Sequence, residues 1–313
     1  MLATLSVVLP IFGLVLAGFI CRRTGILGPA ALTELNRFVV WLGLPALFLK
    51  ITVHASWDEL YQPGFMVVFG LSCFILFFAT ILIRMRKKGL ADASVEGLDA
   101  AYPNAGYMGF PLCFLVFGAE SFPVVTIAAI TTACVMFAMA IVLLEIGIQT
   151  ERHPGRMALA VSRSLIKNPL VVSPAIGIAF AASGLPLPKA ADTFLDLLSA
   201  AASPCALVAL GLFLAAERAA VDKDRAGAIL LTLLKLFVQP ALTYVLAYHA
   251  FDLPKVTADT AILISALPTG TGPFMLAEYY KRDAAVTADT ILYSTLASVL
   301  TISALLYVSG HTG

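Results

Sequence analysis

"AYPNAGYMGFPL", residues 101–112, sets two prolines, two glycines and an asparagine inside an otherwise apolar run. Proline removes a backbone donor and clashes with the preceding turn, and glycine adds chain entropy, so this helix is predicted to unwind. A second stretch, "ALPTGTGP" (266–273), repeats the pattern: Ala-x-Pro, then Asn or Thr, glycines, and a second proline. In hydrocarbon an unpaired backbone group costs several kcal/mol, so such breaks survive only against protein or a watery cavity.

The surroundings are those of a bilayer. Of 313 residues, 60% are apolar and 12% charged, against roughly a quarter charged in a soluble domain. Apolar segments recur at 2–20, 38–49, 65–83, 124–146, 170–183, 197–216, 228–250, 258–280 and 291–308, most of them near the ~20 residues a span requires. With the interrupted segment 98–118 they predict ten transmembrane helices, an all-α membrane protein.

Basic residues crowd alternate loops: Arg22 and Arg23; Arg84, Arg86, Lys87 and Lys88; Arg152, Arg156, Arg163 and Lys167; Arg218, Lys223 and Arg225; Lys281 and Arg282. The other loops hold Lys50, Lys189 and Lys255. The positive-inside rule then puts both termini outside the cytoplasm. The first span lacks a basic n-region and is followed by Arg22–Arg23, so it reads as a span, not a cleaved signal. The net charge of +1 says nothing about partners; its distribution over the loops does, and no nucleic-acid partner is expected.

The halves resemble one another. "PIFGLVLAGF" (10–19) matches "PAIGIAFAAS" (174–183), and the segment carrying Pro45 matches the one carrying Pro204. Two repeats are expected, 1–148 and 169–313, joined by a cytoplasmic linker at 149–168. Five spans each make them inverted, a transporter signature with the site near the midplane. "RMALAVSRSLIK" (156–167) in the linker predicts an interfacial amphipathic helix.

The candidate site lies at the breaks, with Pro103, Pro111, Pro268 and Pro273 as the crossover prolines. Half-helix N-termini there favour an anion. Tyr102, Asn104, Gly106, Thr269 and Thr271 line it on this reading. Lys235 and Gln239, about one turn apart on the eighth span, join it. Lys235 is either a countercharge for an anion, a tether for the carbonyl ends at the crossover, or a lysine snorkelling to the surface. No acidic residue is expected at mid-membrane: Glu145 and Glu278 fall near cytoplasmic ends and Asp196 near the outer end, which argues against a proton relay or a carboxylate sodium cage. His54, His153, His249 and His311 scatter over span ends and loops, and Trp41, Trp57 and Tyr61 read as interface anchors. Five cysteines (Cys21, Cys73, Cys113, Cys134, Cys205) form no CxxC pair, so no metal, disulfide or cofactor is expected. Without HExxH, GxSxG or paired membrane aspartates, no enzyme is expected.

"PNAGYMGFPL" resembles the fourth-span motif of the auxin efflux carrier family, and "ALPTGTGPFMLAEYY" (266–280) its ninth-span motif. "WLGLPALFL" (41–49) and "ALGLFLA" (209–215) look like its second and seventh spans. The resemblance implies two inverted five-helix repeats with crossed broken helices. Spans one, two, six and seven would be a scaffold, through which two copies would pair as a homodimer. The rest would be a mobile transport domain of elevator type. It assigns the substrate carboxylate to Asn104. It also implies a secondary carrier of small mono- or dicarboxylates, such as malonate or malate, in a bacterial inner membrane. A sodium-coupled symporter of the bile acid type and an auxin-like aromatic acid carrier are the alternatives. The short linker and the polar Thr269-Gly270-Thr271 run depart from the plant members.

Overall fold

The computed structural model describes residues 2–54, 61–149, 154–215 and 224–309. Trp57, Arg152, His153, Arg218, Lys223 and His311, all singled out above, lie outside them. Among the described residues every regular element is helical: α1 (Leu2–Arg23), α2 (Ala31–Val53), α3 (63–88), α4 (90–101), α5 (Phe110–Phe117), α6 (Phe122–Ile148), α7 (Pro154–Lys167), α8 (Pro169–Ala182), α9 (Lys189–Ala215), α10 (Arg225–Ala250), α11 (Lys255–Ser265), α12 (Gly272–Tyr279) and α13 (Ala285–Val308). Among the described residues six continuous helical stretches are long and apolar enough to cross a membrane, or seven if α7 and α8, bent by 70°, count as one. α7 holds Leu159 and Ile166 exposed beside Arg156 and Arg163, an amphipathic helix over the predicted linker.

One of those six stretches, Pro63–Ala101, is two helices. Gly89 has φ 77° and ψ 167°, outside the helical region and accessible to glycine without Cβ strain. Arg84 and Glu96 are twelve residues apart, a separation of about 18 Å along one straight helix, yet Arg84 Nη2 donates to Glu96 Oε1 at 3.1 Å. A Cβ at Gly97 would press on Phe77 and Ile81, so α4 lies back along α3. The basic stretch expected as a loop from 84 to 96 is thus helical on both sides of a one-residue turn. The fold-back supplies the buried Arg84 with Glu96 as a partner.

The packing divides the helices into two groups. α1 lies along α9, α8 along α2, and α9 also along α2. In the other group α6, α10 and α12 pack on the α3–α4 hairpin, and α10 also on α11 and α13. Apolar faces follow from the helical period. α3 buries Phe65, Phe69, Cys73 and Phe77 while Met66, Ile75, Phe78 and Leu82 face outward, an arrangement suited to lipid on one side.

Glycines set the closest contacts of the first group. A methyl on Gly211 of α9 would collide with the main chain of Val15, and one on Gly18 of α1 with that of Val208. Small residues at such crossings let helix backbones touch, which is the main source of helix association where lipid removes the hydrophobic drive. Gly43 likewise meets Ala202, inside the small-residue run "SAAASPCA".

At the basic end, Arg84 also pairs with Asp224, which caps α10 by accepting from the Gly227 N–H at 3.0 Å. Burial works against the Asp224 charge, but the Arg84 guanidinium outweighs it and holds the carboxyl down at about 2.

Two measurements follow. Gly211→Val should lower the melting temperature in detergent by the equivalent of ~1–3 kcal/mol, whereas Gly13→Ala, which meets nothing within 4 Å, should leave it unchanged. The Asp224 pairing stabilises the fold fully above the ordinary carboxylate value of 3.8 and fades as pH falls towards about 2. The stability gap between wild type and Asp224→Asn should therefore be constant at neutral pH and close over that acid window.

Candidate functional site

The two breaks meet. α4 ends at Ala101 and α11 at Ser265, and beyond those ends Pro103 and Thr269 form an antiparallel bridge. The Asn104 N–H donates to the Pro268 carbonyl at 2.9 Å, and the Gly270 N–H donates to the Tyr102 carbonyl at 3.0 Å. Each break supplies the other with the partners its own helix has lost, which answers where the broken backbone finds its hydrogen bonds. Both chains then re-enter helices. The first passes through a π-turn at Ala105–Gly109 into α5, with Pro111 in its first turn. The second enters α12 at Gly272, with Pro273 in its first turn.

Side chains satisfy most of what remains. Lys235 is fully buried and its Nζ donates to the Ser265 carbonyl, the last residue of α11, at 2.6 Å. Gln239, also fully buried, points its Nε2 at the Ala101 carbonyl, 3.4 Å away at the end of α4. Both come from one place on α10, where a π-turn at Leu234–Val238 leads into Gln239; such bulges concentrate at functional sites. Of the three readings open for Lys235, the geometry is that of the tether. A cation at a helix C-terminus is also the favourable sign for the helix dipole.

Against the crossover lies a cavity of about 30 Å³ lined by Leu44, Phe48, Tyr102, Pro103, Asn104, Gly106, Thr132, Gly270, Thr271 and Gly272, among others. That is room for about one water. The side-chain amide of Asn104, 8% exposed, has no hydrogen-bond partner among the described residues, and neither does the hydroxyl of Thr271. The N-terminus of α12 opens at the same place, with first-turn N–H groups that no intrahelical carbonyl can reach. The Tyr102 ring packs against Gly270, Gly272 and, tilted, Phe137, and a Cβ at Gly270 would sit 2.9 Å from it. The cavity thus offers neutral donors and a positive helix end, and no fixed charge lines it among the described residues.

The predicted site residues therefore part into two sets. Tyr102, Pro103, Asn104, Gly106 and Thr271 line the cavity. Thr269, Lys235, Gln239, Pro268 and Pro273 do not: Thr269 Oγ1 donates to the Asp99 carbonyl at 2.7 Å and its N–H to Ser294 Oγ at 3.2 Å. Asp99 and its hydroxyl neighbours were not expected from the sequence. Asp99 lies near the end of α4, buried to 0% exposure, contrary to the expectation that no acid sits deep in a span. The fold-back at Gly89 starts that helix at residue 90 and puts Asp99 more than two turns inside it.

The membrane transport protein family, the one that includes the auxin efflux carriers, has a model that matches residues 3–306. The chain belongs to that family. A Rhizobium meliloti (strain 1021) protein named "Putative malonate transporter" is 31% identical over 306 residues, covering 97% of this chain and 95% of that one. "Uncharacterized transporter YfdV" of Escherichia coli (strain K12) is 26% identical with 96% of each chain covered. "Auxin efflux carrier component 8" of Arabidopsis thaliana is 23% identical over 95% of this chain and 94% of its own. The transporter is thus a membrane protein whose similarity to its family runs through both breaks.

Lys235→Met removes the tether of α11 and leaves the Ser265 carbonyl unpaired. We expect a loss of ~1.5–3 kcal/mol, the usual contribution of a hydrogen bond to a charged group, read as a lower melting temperature with or without ligand. A snorkelling lysine would tolerate the change.

Proposed function

We propose that the protein is a secondary carrier of small mono- or dicarboxylates, malonate first among them, and that the carboxylate sits at the crossover against Asn104. One observation carries this reading: a nearly buried amide without a partner faces a cavity that also receives the Thr271 hydroxyl and the N-terminus of α12. Neutral donors and a helix end can solvate an anion without the cost of dehydrating a fixed countercharge, which suits a site that must release its cargo. The name of the Rhizobium relative points to the same substrate class.

The architecture we propose is ten spans in two inverted five-span repeats, 1–148 and 169–313, around the linker 149–168. The fold-back at Gly89 supports it, because separating α3 from α4 gives each half a broken fourth member, α4–α5 and α11–α12. Elevator-type movement is supported by the two packing groups: α1, α2, α8 and α9 as the scaffold, through which two copies would pair, and the remaining spans as the moving body. The 30 Å³ cavity would then belong to a closed state that opens as that body shifts. Both termini would face away from the cytoplasm of a bacterial inner membrane, following the alternation of basic loops.

The test is binding and counterflow with malonate, malate and an auxin-like aromatic acid as probes. Wild type should bind malonate, and Asn104→Ala should bind it roughly ten- to a hundredfold more weakly, the equivalent of ~1.5–3 kcal/mol, with an unchanged melting temperature without ligand. Equal affinity in the variant would place the carboxylate elsewhere. Saturation only by the aromatic acid would overturn the substrate class.

A further inference from the structure

The two half-helices that end at the crossover are treated unequally. The C-terminal end of α11 receives the Lys235 amine on the Ser265 carbonyl. The C-terminal end of α4 receives the neutral amide of Gln239 on Ala101, and carries a carboxyl group, Asp99, in its own last turn. A helix C-terminus is the negative end of its dipole, so an ionised carboxyl there has the wrong sign. Asp99 Oδ2 accepts from Thr287 Oγ1 of α13 at 2.8 Å, but Oδ1 is buried without any hydrogen-bond partner.

Among the described residues no cation bonds to Asp99, and Glu96, about one turn earlier on α4, adds a like charge. The charged groups on the elements packed around Asp99 are engaged elsewhere: Arg84 on its own hairpin with Glu96 and Asp224, Lys235 with Ser265, and Arg282 with Asp92. Asp289, half-buried on α13, is acidic. A lone buried carboxylate with an empty oxygen is costly in a low-dielectric interior, and the smallest positive charge that removes the cost is a proton.

We propose that Asp99 binds and releases the proton that couples the carrier to the transmembrane pH gradient. The proposal rests on the crossover being the anion site. Uptake adds H⁺ to Oδ1 and gives a neutral carboxylic acid, with Thr287 still donating to Oδ2. Release returns the same H⁺ to water on the other side, and no other bond is made or broken. The link to cargo is short: Thr269 bonds the Asp99 carbonyl through its hydroxyl and bridges Pro103, the neighbour of Asn104. An anion at Asn104 therefore favours the protonated form of Asp99. By reciprocity, protonation favours anion binding by the same factor.

Two measurements test this, and the first needs no substrate. Infrared pH-difference spectra of the purified full-length protein should show a buried carboxylic acid C=O stretch that titrates and is absent in Asp99→Asn. Thr287→Val, which removes a donor to the ionised form, should move its midpoint to higher pH. A band that persists in Asp99→Asn, no such band in wild type, or no shift in Thr287→Val would overturn the assignment. In proteoliposomes, above the second ionisation of malonate, an inward proton gradient should drive malonate accumulation by wild type. Asp99→Asn should lose that accumulation while keeping malonate counterflow, and Asp99→Glu should restore it. Gradient-driven accumulation by Asp99→Asn at the wild-type level, or accumulation that follows a sodium gradient in place of pH, would overturn the coupling role. If wild type moves no malonate at all yet the infrared band behaves as expected, the substrate reading fails and the proton site at Asp99 stands.

Discussion

The rest of the structure depends on two backbone hydrogen bonds, Asn104 N–H to Pro268 C=O and Gly270 N–H to Tyr102 C=O. A helix broken inside hydrocarbon leaves donors and acceptors that lipid cannot satisfy, each costing several kcal/mol. Here the loss in one break is made good by the other, so neither could exist alone. That mutual dependence explains why the prolines and glycines occur twice, far apart in the chain. It also explains why side chains from α10 and α13 converge on the spot: Lys235, Gln239 and Ser294 bond the groups that the pairing leaves over.

The same constraint divides labour between the two sides of the crossing. Thr269 and the buried hydroxyls hold the backbone, while Asn104 and Thr271 keep their polar groups for the cavity. Two residues apart on an extended strand, Thr269 and Thr271 would share a face. They separate because Thr271 already has helical dihedrals, φ −78° and ψ −12°, as the N-cap of α12. A structural hydroxyl and a cavity hydroxyl therefore sit within one short polar run.

What could be read in advance follows from this distinction. Proline and glycine chemistry is local, so the breaks at 101–112 and 266–273 were legible from the residues alone, as was the amphipathic character of α7. The facing of Thr269 was not, because it depends on where the second chain turns into α12. The depth of Lys235 and Gln239 was only half legible: their spacing placed them together, but the π-turn that aims both at the helix ends has no sequence signal. Asp99 escaped notice for a tertiary reason. Its depth is set by the turn at Gly89, and the residues around that turn have the composition of an ordinary basic loop; the pairing of Arg84 with Glu96 and the contact of Gly97 with Phe77 show the hairpin in the fold.

If the crossing of the breaks is where the cargo is held, a structure determined with malonate present will show it most directly. Malonate should occupy an enlarged cavity, one carboxylate within hydrogen-bond distance of the Asn104 amide and facing the N-terminus of α12, with the Asn104–Pro268 and Gly270–Tyr102 bonds intact. Malonate bound away from the crossover, for instance in the cleft between Tyr244, Tyr248 and Lys255, with the cavity at Asn104 still closed, would contradict it.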